Sequence, residues 1–267
     1  MENKGEPVSA QRAVRDPTAD LLWYDLRELG LEGQGWTDTA HPYDRLPALA
    51  REVVPAPVYE LGRHSAGLAA RFLTDSPTLS VRWSLRFESL AMPHMPATGV
   101  SGVDLYVRSG RVWRWAGSGI PQQFPHNQAG LVNRGRARLR EYRLYLPLYN
   151  GVERVELGLA PAAHLFRAAA LPDTRMVCVY GTSIDQGGCA SRPGMAWTAV
   201  AGRRLDVEFI NLGFSGNGRL DYGMADLLGE LDAAVYVLNC VANMDAKLVT
   251  ERTAEFVGRL RGRRPTT

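Results

Sequence analysis

The sequence predicts two domains of different class, a β-sandwich of jelly-roll type followed by a parallel α/β domain. Three observations predict this. Between residues 21 and 171, short runs alternate apolar and polar residues and are broken by Gly, Pro, Asn and Asp. After residue 172 the rhythm changes to compact apolar runs that alternate with helical patterns. Those later runs are apolar throughout, as expected of strands covered on both faces.

The sandwich is expected over residues 21–171, behind a flexible segment 1–20. In residues 79–87 (LSVRWSLRF), Leu79, Val81, Trp83, Leu85 and Phe87 share one face, and Ser80, Arg82, Ser84 and Arg86 the other. That period of two marks a half-buried strand. Residues 102–107, 111–115, 140–146 and 152–159 repeat the pattern, with Ser109-Gly110 and Asn150-Gly151 as turn signals. Many short strands at this spacing suit a jelly-roll-like sandwich. Trp113 and Trp115 share a strand face and are expected in the core.

The α/β domain is expected over residues 172–267, with the join at Leu171-Pro172-Asp173. Residues 176–180 (MVCVY) read as a first strand, and residues 191–205 as a helix with Pro193 in its first turn. Residues 207–211 form a second strand. Met224, Leu227, Leu228 and Leu231 follow on one helical face, at i, i+3, i+4 and i+7. Residues 233–238 are the third strand, and Val249, Thr253, Phe256, Val257 and Leu260 mark a last helix. Open parallel sheets carry about five strands. The third strand is therefore expected to have an unpaired edge, and the domain to be incomplete at its C-terminus.

With 45% hydrophobic and 22% charged residues, the chain is expected to fold in water. No run of about 18 apolar residues predicts a membrane span. The polar start MENKGEPVSAQRAVRD is no secretory signal, so no membrane partner and a cytoplasmic location are expected. The net charge of +3 rests on four arginines in the last nine residues, without which it is −1. A nucleic-acid partner is not expected from that distribution. Three cysteines with no CxxC spacing argue against a disulfide framework or a zinc site. Residues 213–218 (GFSGNG) lack the spacing of a dinucleotide loop, and neither a cofactor nor a metal is expected.

The chemistry is concentrated at three strand ends. Residues 179–188 (VYGTSIDQGG) run from a buried strand into Gly181, Thr182 and Ser183, at the sheet edge where ligands of open α/β folds bind. A serine there can act as a nucleophile if a base accepts its proton. The second strand ends in NLGFSGNG and the third in NCVANM. Gly216 can offer a backbone N–H and Asn243 a side-chain amide which, with the Ser183 N–H, make three convergent donors for an oxyanion.

These blocks resemble the SGNH, or GDSL, hydrolases. Gly181-Thr182-Ser183-Ile184 is similar to their first block, with Thr182 where the name-giving string has Asp. Residues 211–217 resemble the second block and Cys240-Val241-Ala242-Asn243 the third. The resemblance implies a flavodoxin-like α/β domain with Ser183 as nucleophile and Gly216 and Asn243 in the oxyanion hole. GVDLYVR (102–108), YRLYLPLYNGVERVELGL (142–159) and YGTSIDQGGCASRPGMAW (180–197) resemble the subgroup with an N-terminal GxDLY-type sandwich. The likeness covers the chain from about residue 20.

One block of that family is not found. Its general base is a His with an Asp three residues before it, near the C-terminus. Here His41, His64, His94, His126 and His164 all precede Ser183. Asp38 and His41 have the spacing but not the chain order. Asp185, two residues after Ser183, is not the family's triad acid. The resemblance implies a serine esterase, or an acyltransferase by the same acyl-enzyme route, acting on a small-molecule ester or thioester. The chain as it stands is expected to be nearly inactive. It reads as a truncated enzyme, with an inactive remnant or a carbohydrate-binding protein as the alternatives.

Overall fold

A computed structural model describes residues 5–133, 135–171 and 176–267. In chain order the first part holds β1 (Val14–Asp16), β2 (Leu21–Asp25), β3 (Leu31–Glu32), α1 (Ala50–Val53), α2 (Ala56–Gly62), β4 (Ala69–Thr74) and β5 (Leu79–Leu85). It continues with α3 (Ala97–Val100), β6 (Val103–Ser109), β7 (Val112–Gly119), β8 (His126–Val132), β9 (Arg140–Tyr145), β10 (Val152–Leu159) and β11 (Leu165–Arg167). The strands form two antiparallel sheets, ordered β1-β2-β10-β5-β8 and β11-β4-β9-β6-β7, with β3 also paired to β4. Between them lies one hydrophobic cluster. Leu79, Val81, Trp83 and Leu85 enter it from one sheet and Leu105, Tyr142 and Leu144 from the other. Strict alternation along β5 turns every second side chain inward.

Three expectations for this half need correction. The segment expected to be a flexible tail contributes β1, which pairs antiparallel with β2, and Pro7 bridges to Phe166. Trp113 and Trp115 do not share an environment. The two stand in unbroken register against β6, Trp113 opposite Arg108 and Trp115 opposite Tyr106, so they share a face and differ only in what covers it. Trp113 is 9% exposed and Trp115 54%. Trp113 packs with Tyr106 and Tyr145 on the outer face of its sheet, beside Ala199 of the second domain. Third, the chain between β3 and β4 gives Tyr43 and Leu68 to the sandwich core but most of its apolar residues to the other domain. Trp36, Leu46, Ala50, Val54 and Val58 pack into the α/β core, where α1 and α2 cover apolar surface that the short sheet cannot cover itself.

The second part holds β12 (Met176–Gly181), α4 (Ser183–Gln186), α5 (Trp197–Leu205), β13 (Phe209–Gly213), α6 (Tyr222–Leu228), β14 (Ala233–Asn239) and α7 (Ala246–Arg263). Its sheet is parallel, ordered β13-β12-β14. Central β12 is covered on both faces, with Cys178, Val179 and Tyr180 buried. The third strand, β14, is not: Val235 is 48% exposed, because β14 pairs with β12 alone among the described strands. The helix expected over residues 191–205 starts at Trp197. Ahead of it, Pro193–Met195 form a 3-10 turn and Ala196 is extended. The Gly194 N–H is held by Asp104 of β6 at 3.0 Å, which prevents those residues from joining α5. The expected join at Leu171-Pro172-Asp173 lies partly outside the described residues. Among them, no helix is long and apolar enough to cross a membrane.

Candidate active site

Gly181, the last residue of β12, pairs with Gly213 of β13 and Asn239 of β14. The three loops that follow therefore leave one edge of the sheet. Ser183 opens α4 on the first. Gly216 lies in the second, with a φ of +68° and nothing within 4 Å of where a Cβ would stand. Asn243 sits in the 3-10 turn Val241–Asn243 on the third. The loops are also tied to one another. The Phe214 N–H donates to Gly181 O at 2.9 Å, and the Asn243 amide donates to Asn217 O. Gly218, at φ +71°, lies so close to Gly181 O that a Cβ would come within 2.1 Å. Glycine is required there on both counts.

The nucleophile candidate is held by its neighbours. Thr182 caps α4, accepting from the Ile184 N–H at 3.4 Å, while Asp185 Oδ2 accepts from the Thr182 N–H at 2.8 Å. This reciprocal pairing satisfies N–H groups that a helix start leaves open. Asp185 is fully buried and does more than cap. Its carboxylate also accepts from Trp197 Nε1 at 3.1 Å and Asn239 Nδ2 at 3.0 Å. Its backbone carbonyl accepts from Asn211 Nδ2 at 2.7 Å. One acidic residue thus fastens α4 to β13, to β14 and to the start of α5. The string Thr182-x-x-Asp185 carried that signal in the sequence as a capping box; its tertiary partners carried none.

Residues from the first half reach the same loops. Fully buried Arg45 donates to Asn211 O and Gly213 O at 2.9 Å each, to His64 O at 2.9 Å and to Leu61 O at 2.7 Å. Its guanidinium lies 4.9 Å from the Phe214 ring centroid. Burial lowers the Arg45 pKa to about 9, which leaves it a cation at neutral pH. Asp104 accepts from Ser118 Oγ at 2.8 Å, Trp115 Nε1 at 3.0 Å and the Gly194 N–H, with the Arg192 guanidinium at 3.3 Å. Burial, the largest influence, raises its pKa against the hydrogen bond from Ser118 and the charge of Arg192. Asp104 holds the chain between α4 and α5 against the sandwich.

None of the five histidines lies within residues 176–267. His41 faces Glu153, His126 bonds Ser84, His164 bonds Asp75, and His94 is exposed. His64 bonds Gln186 at 3.1 Å through Nδ1. Burial first, then the charges of Arg45, Arg63 and Arg86, lower its pKa to about 3. Among the described residues no three His, Cys, Asp or Glu side chains are grouped to hold a metal.

Comparisons with known proteins agree with this geometry at the level of family. Residues 21–165 match the GxDLY family, the N-terminus of SGNH-hydrolase-type esterases, and residues 174–267 match the GDSL-like lipase/acylhydrolase family. The GxDLY string is Gly102-Val103-Asp104-Leu105-Tyr106, so the Asp that holds Gly194 is its third residue. The crystal structure of a GDSL-like lipase from Bacteroides ovatus ATCC 8483 is similar at 34% identity and a TM-score of 0.87, over 92% of this chain and 72% of that one. Salicylyl-acyltransferase SsfX3 from a tetracycline biosynthetic pathway shares the fold at 21% identity and a TM-score of 0.70, over 97% and 72% of the two chains. A family two carbohydrate esterase from Clostridium thermocellum does so at 14% identity and 0.54, over 75% and 69%. Comparison with curated proteins returns no match. The two matched segments, in this order along one chain, and the 34% identity establish that the protein belongs to the GDSL-like lipase/acylhydrolase family, with a GxDLY domain at its N-terminus.

Proposed function

We propose that this chain carries the nucleophile and oxyanion hole of a serine esterase that works through an acyl-enzyme intermediate on a small-molecule ester or thioester. The convergence of three loops at one sheet edge carries the reading: Ser183 on the first, Gly216 on the second, Asn243 on the third. Ser183 Oγ attacks the carbonyl carbon, and the carbonyl π electrons move onto oxygen. The N–H groups of Ser183 and Gly216 and the Asn243 amide stabilise that oxyanion. Collapse breaks the bond to the leaving group, which departs as alcohol or thiol with the proton lost by Ser183 Oγ; water then attacks the acyl-enzyme, releasing the acid and returning a proton to Ser183 Oγ. Asn243 has two amide hydrogens, so its bond to Asn217 O leaves one for the oxyanion.

The proton acceptor is not among the five histidines. Four are exposed in the part of the chain that precedes β12, and His64 already accepts a hydrogen bond on Nδ1 and is a very weak base. The 267 residues alone should therefore hydrolyse p-nitrophenyl acetate no faster than their own Ser183→Ala variant. A rate well above that variant would mean that a base had been overlooked. In any form of the protein that carries activity, Ser183→Ala should lower kcat by at least about a thousandfold. Retention of activity within tenfold would sink the assignment. Acyl transfer is the second reading, favoured by the fold shared with a salicylyl-acyltransferase. Partition of the acyl group between water and added hydroxylamine separates the two.

A further inference from the structure

Gln186 closes α4 three residues after Ser183, and its side chain is fully buried. Its Oε1 accepts from the Ser215 N–H at 2.8 Å. Its Nε2 donates to Leu148 O at 3.1 Å and to His64 Nδ1 at 3.1 Å. The chemistry of these partners fixes which way the amide points. A backbone N–H can only donate and a carbonyl can only accept, so oxygen must face Ser215 and nitrogen must face Leu148. The second Nε2 hydrogen then requires a lone pair on His64 Nδ1. His64 must be neutral and carry its proton on Nε2. Its ring lies 5.4 Å from Phe87 and 6.2 Å from Tyr149, centroid to centroid, and its carbonyl accepts from Arg45.

The other end of this chain of bonds is the second loop. Once Ser215 N–H is committed to Gln186, the next peptide N–H is that of Gly216, and no protein acceptor takes it among the described residues. We propose, resting on the assignment of Gly216 to the oxyanion hole, that Gln186 is a positioning residue: it transmits the fixed geometry of His64 and Leu148 to the Ser215–Gly216 peptide and so aims the Gly216 N–H at the developing oxyanion. Arg45 supports the same loop from below through Asn211 O and Gly213 O. The accessory half of the chain is then a working part of the hole.

The test uses a form of the protein that carries activity. Gln186→Leu removes all three bonds at similar volume. It should lower kcat by about a hundredfold, comparable to the loss of one oxyanion donor, with KM changed less than threefold. Affinity for a trifluoromethyl ketone analogue of the substrate should fall by the same factor as kcat/KM. Because both residues serve one hole, the Gln186→Leu and Asn243→Ala losses should combine to less than their product. Purely multiplicative losses, or a kcat within twofold of the parent, would overturn the proposal. Should Gln186→Leu fail to fold, His64 supplies the second pair of variants. His64→Phe, which loses the acceptor, should lower kcat about tenfold, and His64→Asn, whose Oδ1 can stand where Nδ1 does, should restore most of it. Equal rates for the two would also overturn it. An activity-independent readout is the 15N spectrum of the His64 ring, which should report the neutral Nε2–H tautomer at pH 7; an Nδ1–H tautomer contradicts the relay directly. If Ser183→Ala remains active, the assignment of the hydrolytic site fails, whereas an active Gln186→Leu beside an inactive Ser183→Ala removes only the relay.

Discussion

His64 links the site to stability through its protonation. Its folded-state pKa is depressed to about 3, first by burial and then by Arg45, Arg63 and Arg86. Arg86 is itself paired with Asp44 and Glu153, Arg63 with Glu60, and Tyr149 lies beside the ring. Below pH 6.5 the unfolded chain takes up a proton at His64 that the folded chain refuses, so this group's contribution to stability is lost as pH falls from 6.5 towards 3. The slope is at most about 1.4 kcal/mol per pH unit, and less here because the ring keeps some exposed surface. Urea midpoints of the parent and His64→Asn should converge between pH 6.5 and 4.5, and parallel curves would exclude the effect. Gln186 and His64 show where reading the sequence stops. Ser183, Gly216 and Asn243 stand out in the sequence as candidates because each lies in the loop after an apolar run, with a residue type that suits a nucleophile or an oxyanion donor. Gln186, His64 and Arg45 are polar residues whose partners lie 16 to 168 positions away, as in Arg45 with Leu61 O and Gly213 O. Periodicity carries no trace of such pairs.

At the scale of elements, local pattern succeeded where the backbone is regular and failed where a tertiary contact bends it. The alternation of β5 appeared at its expected start and face. The helix expected from residue 191 was cut short because Asp104 captures the Gly194 N–H, a contact from another domain. The two tryptophans of β7 share a face, but Trp113 is covered beside Ala199 of the second domain and Trp115 is not, a difference that composition does not announce. Close packing of α4 on β13 gives a sharp contrast between two glycines. A Cβ at Gly213 would come within 2.0 Å of Gln186 N and 2.5 Å of Asp185 C, both backbone atoms that cannot swing aside. Gly213→Ala should destabilise by about 3 kcal/mol and displace Ser183 with the helix. Gly258, inside α7, has nothing within 4 Å of an added Cβ, and Gly258→Ala should stabilise by about 0.5–1 kcal/mol. Denaturant melts of the two variants check both signs; equal and small shifts would mean that α4 rides loosely on the sheet.

Over the whole molecule, two folding classes follow one another in sequence but do not form two separable cores. Trp36, Leu46, Val54 and Val58 come from the first half and complete the core around Ile210, Phe214 and Phe256. Polar bonds cross the same boundary: Trp36 Nε1 to Glu230 at 2.8 Å, the Gly33 N–H to Glu208 at 2.7 Å, and Arg108 to Asp206 at 2.5 Å. The surfaces meet so closely that a Cβ on Gly67 would lie 2.4 Å from that of Asn211. Sequence texture suggested a boundary near residue 172, since texture follows strand and helix periods and is blind to a short apolar segment that crosses over. The physical boundary is set by which core each side chain enters. Removing residues 33–62 from the α/β part would expose apolar faces of Tyr180, Leu212 and Phe214, each about 1.5–3 kcal/mol of burial, and a domain of marginal stability does not survive several such losses. Residues 174–267 expressed alone should therefore be unfolded or aggregated by circular dichroism and light scattering. The 267-residue chain should melt in one transition that fluorescence of its tryptophans and far-ultraviolet dichroism trace identically. Two resolved transitions, or a folded monomer from residues 174–267, would show that the crossing segment is decoration and that the sandwich is a detachable module after all.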